Sequence, residues 1–190
     1  RDITVATRDD AQADAVLAAL SGLTGVDVIS SHNGTMMAHV GGTLTMRNRA
    51  AITGRDDLSM AYTPGVARVC MAIHHDPERT WDLTIRGNSV AVITDGSNVV
   101  GQGGLGALAA LPSAEATCVF LREMATIDGF PLPLDVISAT EITPVVSKLV
   151  SVFAGVHLTD MAAPGCFDVH SALSELIDIP ILHDKQEGTS

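Results

Sequence analysis

Short apolar runs alternate with helical repeats through the second half of the chain, and that rhythm predicts the fold. SVAVIT, Ser89 to Thr94, is a near-continuous apolar run of the kind found in a strand buried on both faces. Ser113 to Ile127 has a helical pattern, with Val119, Phe120 and Met124 as candidate core contacts. PLPLDVI is the next extended run, and Pro131 and Pro133 place it at a sheet edge or a strand start. Thr140 to Phe153 is predicted helical, with Pro144 confined to the first turn. GVHL, a helix from Pro164 to about Leu176, and IPILH complete the series. The alternation specifies an α/β architecture with a mostly parallel sheet flanked by helices. Candidate chemistry then falls at the carboxyl ends of the strands, at Thr94-Asp95, Asp135, Thr159-Asp160 and His183-Asp184.

Upstream the pattern changes. In DDLSMAYTPGVARVCMAI, Asp56 to Ile73, the positions Val66, Val69, Cys70 and Ile73 recur as one apolar helical face. Thr63 is a candidate cap for that helix and Pro64 suits its first position. Tyr62, the one tyrosine, stands at the helix mouth. Residues 1–45 read as a small β-α-β unit: ITVAT, a helix opened by Asp9-Asp10 with Ala15, Leu17, Ala18 and Leu20 apolar, then VDVISS and TMMAHV around Asn33-Gly34. So small a unit leaves apolar surface that missing residues or another chain would cover. Met46 to Asp57 is polar and reads as a linker leading into a main domain, 46–190.

Charge narrows the classes of partner. With 22 acidic and 11 basic residues the formal charge is −11, which argues against a nucleic-acid or anionic-membrane surface. No run of about 18 apolar residues offers a membrane span, and RDITVATRDD lacks the apolar core of a signal peptide. Cys70, Cys118 and Cys166 form no CxxC pair and are expected to be reduced, buried thiols of a cytoplasmic protein.

Two groups carry candidate chemistry. GQGGLG, Gly101 to Gly106, fits GxGxxG after a strand. A dinucleotide loop and a tight loop approaching a small ligand's carboxylate through Gly101, Gly103 and Gly104 both remain open. Pro112 is expected to cut the following helix short, and no acidic residue is clearly placed at the end of the next strand. Asp160, His183 and Asp184 form a candidate metal group, although two aspartates are a thin supply of oxygen and Lys185 beside them would repel a cation. His74-His75 and His157 show no ligand spacing.

The phrases DLSMAYTPGVARVCMAI, GNSVAVITDGSNVVGQGGLGALAALP, IDGFPLPLD, AAPGCFDV and DIPILHDKQEGTS together resemble the N-terminal domain of bacterial malic enzymes, in family order from Asp57 to Ser190. The part before them resembles the second half of the ACT-like module that precedes malic enzyme in some actinobacterial homologues. The resemblance implies oxidative decarboxylation of malate with NAD or NADP and Mg²⁺ or Mn²⁺. In that chemistry a lysine is the base, a tyrosine protonates the enol, and the metal stabilises the enolate. Tyr62 stands in the tyrosine position, and Asp160 and Asp184 stand at two metal-ligand positions. The glycine loop has a counterpart inside this same family domain.

Departures from the family pattern cluster at the same positions. The base lysine falls on Thr117, which cannot act as a base near neutral pH without an activator. Thr159 and Lys185 stand where two further carboxylate ligands are expected. The arginine of APRCFE falls on Gly165, and the histidine of QHGT on Glu187. Losing two negative charges and gaining a positive one would cost a divalent ion several kcal/mol even at an effective dielectric near 20. The expectation is therefore no tight Mg²⁺ or Mn²⁺ site and no nicotinamide cofactor for this chain, the family's dinucleotide domain lying beyond its end.

The sequence then supports a degraded or partial homologue with a binding or regulatory role toward a small carboxylate, as a homo-oligomer or beside a related active chain. The alternative is a metal- and NAD-independent enzyme acting on a keto acid or related carbonyl compound through Tyr62 as acid and Lys185, which, with its pKa lowered by burial, would polarise the carbonyl or form an imine. The plainer role for Lys185 is a salt bridge to Asp184 or Asp160.

Overall fold

The computed structural model describes residues 3–136 and 138–188, which divide into two compact units at Val40/Gly41. The first contains α1 (Asp10–Ser21) and α2 (Gly34–Ala38). Asp9 caps α1 by accepting from the Gln12 amide at 2.8 Å, and Gln12 returns a bond from the Arg8 amide at 2.7 Å. Asn33 caps α2 by accepting from the Thr35 and Met36 amides.

The β-α-β pattern expected here is corrected by the structure, for the described residues of this unit form no strand. ITVAT and VDVISS join no ladder, and the Asn33 cap turns TMM into helix. No residue of α1 is buried, so its apolar positions do not nucleate a core within the unit.

The second unit opens with α3 (Arg55–Ala61), α4 (Gly65–His75) and α5 (Thr80–Leu83). Then come β1 (Ser89–Thr94), α6 (Ala107–Ala125), β2 (Asp128–Pro133), α7 (Ala139–Leu149), β3 (Gly155–Leu158), α8 (Gly165–Leu176), β4 (Ile181–His183) and α9 (Asp184–Glu187). The four strands form a wholly parallel sheet in the order β2-β1-β3-β4. This is the α/β layer architecture that the alternation specified.

β1 lies at the centre, and Ala91, Val92, Ile93 and Thr94 are fully buried. β2 takes an edge, where Pro131 and Pro133 leave no inner ladder donor missing. Successive strand residues face opposite layers. Ala91, Ile93, Val156 and Leu158 pack on Ile142, Val146, Val169 and Leu173 of α7 and α8, while Val92 meets Ala114 and Cys118 of α6.

Several helical details depart from the sequence pattern. α6 runs through Pro112 instead of being cut short, because the ring removes one helical donor while the bonds on either side persist. Its buried stripe is Ala107, Ala110, Ala114 and Cys118, whereas Phe120 and Met124 are exposed. Small residues let α6 lie close to the sheet: a Cβ on Gly129 of β2 would come within 2.8 Å of the Cys118 sulfur.

Pro64, not Thr63, precedes the first residue of α4, and no side chain caps that end. Tyr62 closes α3 instead, and its carbonyl accepts from the Val66 amide at 2.7 Å. Among the described residues no helix is long and apolar enough to cross a membrane.

Candidate functional site at the strand ends

β1 ends in a polar hook. Thr94 accepts from the Gly96 amide through its hydroxyl, and Asp95 Oδ1 accepts from both the amide and the hydroxyl of Ser97. Ser97 Oγ in turn accepts from the Ala162 amide at 2.8 Å, tying the β1 hook to the segment after β3. Gly96 is required here. Its φ is +65°, and a Cβ would meet the Gly106 carbonyl oxygen at 2.3 Å.

Beyond the hook, Val99 and Gly103 pair through bonds of 2.9 and 3.0 Å, with Gly101 and Gly103 both at positive φ. The glycine loop therefore folds back on itself before α6 starts, unlike a turn that feeds a strand directly into a dinucleotide-binding helix.

β3 delivers Thr159 and Asp160 into the interior. Asp160 is 1% exposed and adopts φ +52°, with its carbonyl receiving the Asn98 amide at 2.9 Å. Its carboxylate accepts a short hydrogen bond from the Ser113 hydroxyl on α6. Thr159 donates to Asp184 Oδ2 at 2.6 Å. One carboxylate oxygen of the buried Asp160 and one of the half-buried Asp184 are thus each met by a neutral hydroxyl.

At the end of β4, His183 is fully buried, with Nδ1 at 3.1 Å from Gln186 Oε1 and Nε2 at 4.0 Å from Asp184 Oδ1. His183 Nε2, Asp184 Oδ1 and both ring nitrogens of His157 are shut from solvent without hydrogen-bond partners. Burial holds the His157 imidazole below its ordinary pKa; the Asp184 carboxylate opposes that and His183 adds to it.

The other candidates are scattered around this group. Lys185 is exposed and donates to the Asn98 carbonyl at 2.7 Å. It therefore makes neither of the salt bridges expected of it. Thr117 is half-buried, and its hydroxyl donates back to the Ser113 carbonyl at 3.2 Å, a helical back-bond. Tyr62 is 67% exposed, and none of the described hydrogen bonds joins its hydroxyl to Asp160, Asp184, Thr117 or Lys185. Gly165, at the start of α8, faces open space.

Residues 43–144 match the malic enzyme N-terminal domain. This chain belongs to the malic enzyme family. An NAD-dependent malic enzyme of Geobacillus stearothermophilus is 42% identical over 190 residues, which is 100% of this chain and 40% of that protein. A bifunctional malic/malolactic enzyme of Bacillus subtilis is 41% identical over 149 residues, covering 78% of this chain and 36% of the relative. The crystal structure of the NAD-dependent malic enzyme of Thermotoga maritima superposes with a TM-score of 0.79 at 38% identity, over 84% of this chain and 45% of that one. The chain thus spans less than half the length of these relatives.

A divalent ion at malic-enzyme strand ends calls for several oxygen ligands free to turn toward it. Among the described residues no three His, Cys, Asp or Glu side chains are grouped to hold a metal. Asp160 is committed to Ser113 and one Asp184 oxygen to Thr159. The donor set does not fit the ion.

Sequence reasoning found Thr159, Asp160 and Asp184 but missed Ser113 and Asn98. Ser113 lies four residues before Thr117 on one face of α6, a spacing that could have signalled a hydroxyl beside the strand ends. Asn98 acts through its backbone, which side-chain chemistry cannot announce.

Proposed function

We propose that this malic-enzyme domain binds a small carboxylate at the strand ends without a metal, and does not itself carry out oxidative decarboxylation of malate. The observation that carries this reading is the pairing of Asp160 with Ser113 and of Asp184 with Thr159. Hydroxyl donors occupy one oxygen of each acid, where a metal centre would place its cation. At the position of the family base, the Thr117 hydroxyl is spent on its own helix. Lys185 supplies the cation for the ligand: an ammonium has three donors, and the described contacts use one, on Asn98.

Support for a role beside another chain comes from α3 and α4, where Leu58, Met60, Tyr62 and Met71 are exposed without a covering element from their own unit. Association with a second copy or with a catalytically complete relative gives this domain a regulatory function. Imine chemistry at Lys185 finds no support, because the side chain is exposed rather than desolvated.

The test is thermal unfolding of the purified protein with and without millimolar Mn²⁺, together with an NAD(P)-reduction assay with malate. No metal-dependent rise in the midpoint and no turnover are expected. Thr159→Glu combined with Lys185→Asp is expected to introduce a Mn²⁺ response. A Mn²⁺-dependent rise in the unaltered protein, or robust malate turnover, overturns the proposal.

A further inference from the structure

At the amino ends of β1 and β3, the ends of the strands opposite the site above, lies a cavity of about 240 Å³. Ile85, Phe130, Val152 and Phe153 form its apolar walls and Arg86 its charged one. The Phe130 and Phe153 rings meet edge to face, with centroids 5.6 Å apart.

Arg86 is unusual in this chain. Every other described lysine and arginine is exposed, while Arg86 is half-buried. Its guanidinium lies 4.2 Å over the Trp81 ring and donates to Thr80 Oγ1 at 3.0 Å. Nε is shut from solvent without a partner, and among the described residues no carboxylate pairs with the group. Acidic residues outnumber basic ones two to one, yet none is placed here. The neighbouring hydroxyls donate elsewhere, Thr84 to the Thr80 carbonyl and Thr80 to the Pro77 carbonyl. What remains is an under-solvated, positioned cation beside an apolar hollow.

We infer that this cavity is a second ligand site, for a small monocarboxylate with an aryl or branched-alkyl body. The carboxylate pairs with Arg86, recovering hydration that the guanidinium has lost. The body fills the space against Phe130 and Phe153. The volume sits just under the roughly 300 Å³ at which pockets for drug-sized ligands begin, so the acid is small. A bare phosphate would leave the apolar walls unmatched. The inference uses none of the strand-end residues, so it stands or falls separately from the proposed function.

Trp81 is the sole tryptophan, so its fluorescence reports on the site directly. Titration of phenylacetate into the purified protein is expected to give a saturable change in emission. Arg86→Met should weaken binding at least about tenfold. Val152→Asp, which sets a like charge at the cavity rim where Val152 is 60% exposed, should weaken it similarly and decides the matter alone if the arginine variant fails to fold. Inorganic phosphate should bind at least about tenfold more weakly than phenylacetate. No saturable response to phenylacetate, undiminished affinity in a folded variant, or phosphate binding as tightly as phenylacetate would each overturn the assignment.

Discussion

Replacing Ser113 with alanine tests whether the buried acid of the strand-end site is balanced from within. Asp160 is 1% exposed, and the Ser113 hydroxyl is the donor described for its carboxylate. A hydrogen bond to a charged group contributes roughly 1.5–3 kcal/mol. The upper half of that range applies, because a carboxylate closed off from water cannot replace a lost donor with solvent. The side chain removed is small, so the cavity term adds little. Ser113→Ala should therefore destabilise the second unit by about 2–3 kcal/mol, and Ser113→Thr, which keeps a hydroxyl, by much less.

Urea unfolding followed by Trp81 fluorescence reads residues 41–190 and excludes the first unit from the signal. A double-mutant cycle with Asp160→Asn should return a coupling within the roughly 0.5–3 kcal/mol seen for contacting residues. A change below about 0.5 kcal/mol, the level of an ordinary surface substitution, refutes the reasoning. Asp160 would then reach water or a second donor, and the argument that hydroxyls satisfy this site without a cation would lose its basis.

Other substitutions probe the surroundings of the site. His157→Leu removes two buried nitrogens without partners and should stabilise the fold by about 1 kcal/mol at neutral pH. Because the folded pKa of His157 lies below its unfolded value, its contribution is intact above about pH 6.5 and is lost as pH falls from there through the folded pKa. Urea midpoints for the unaltered protein should thus decline in acid, by up to about 1.4 kcal/mol per pH unit from this residue, and the leucine variant should lack that component. Gly96→Ala should cost more than about 2 kcal/mol, from positive φ plus the clash with Gly106, whereas Gly165→Ala should fall within about 0.5 kcal/mol; calorimetric midpoints separate the two. In native protein a maleimide should label Cys70 alone, since Cys118 and Cys166 are buried and the Cys118 thiol is pushed up to about 12; labelling of all three before denaturation, read by intact mass, would contradict this.

The layer architecture was legible because its signals are local and repeated. A strand buried on both faces must be apolar throughout, so Ser89–Thr94 announced itself, and the prolines of Asp128–Pro133 marked an edge. The misplaced features turn on context instead. Phe120 and Met124 are among the bulkier apolar residues of α6, yet both are exposed and the stripe against the sheet is alanine and cysteine, because close packing at Gly129 leaves no room for larger side chains. Apolar periodicity finds a helix face, but it cannot tell a face set by proximity from one set by bulk. The first unit misled for a related reason. β-branched runs are strand-like only when a neighbour completes the ladder, and among the described residues of 3–40 none does.

At the site, the residue types pointed to the right place but not to the right relationships. Asp160, Asp184 and Lys185 suggest ion pairing when taken as a list. The structure instead gives the acids to Ser113 and Thr159 and the ammonium to a backbone carbonyl. Opposite charges near the same strand ends do not pair when burial separates them: Asp160 is inside and Lys185 is at the surface. Moving Lys185 inward would cost an ammonium its hydration, several kcal/mol in real proteins, and attraction repays that only with further hydrogen bonds in place. The hydroxyls are already inside, carry no charge to desolvate, and can each give one donor to one oxygen. A buried acid paired with a hydroxyl and a lysine left facing solvent is the lower-energy division of these groups.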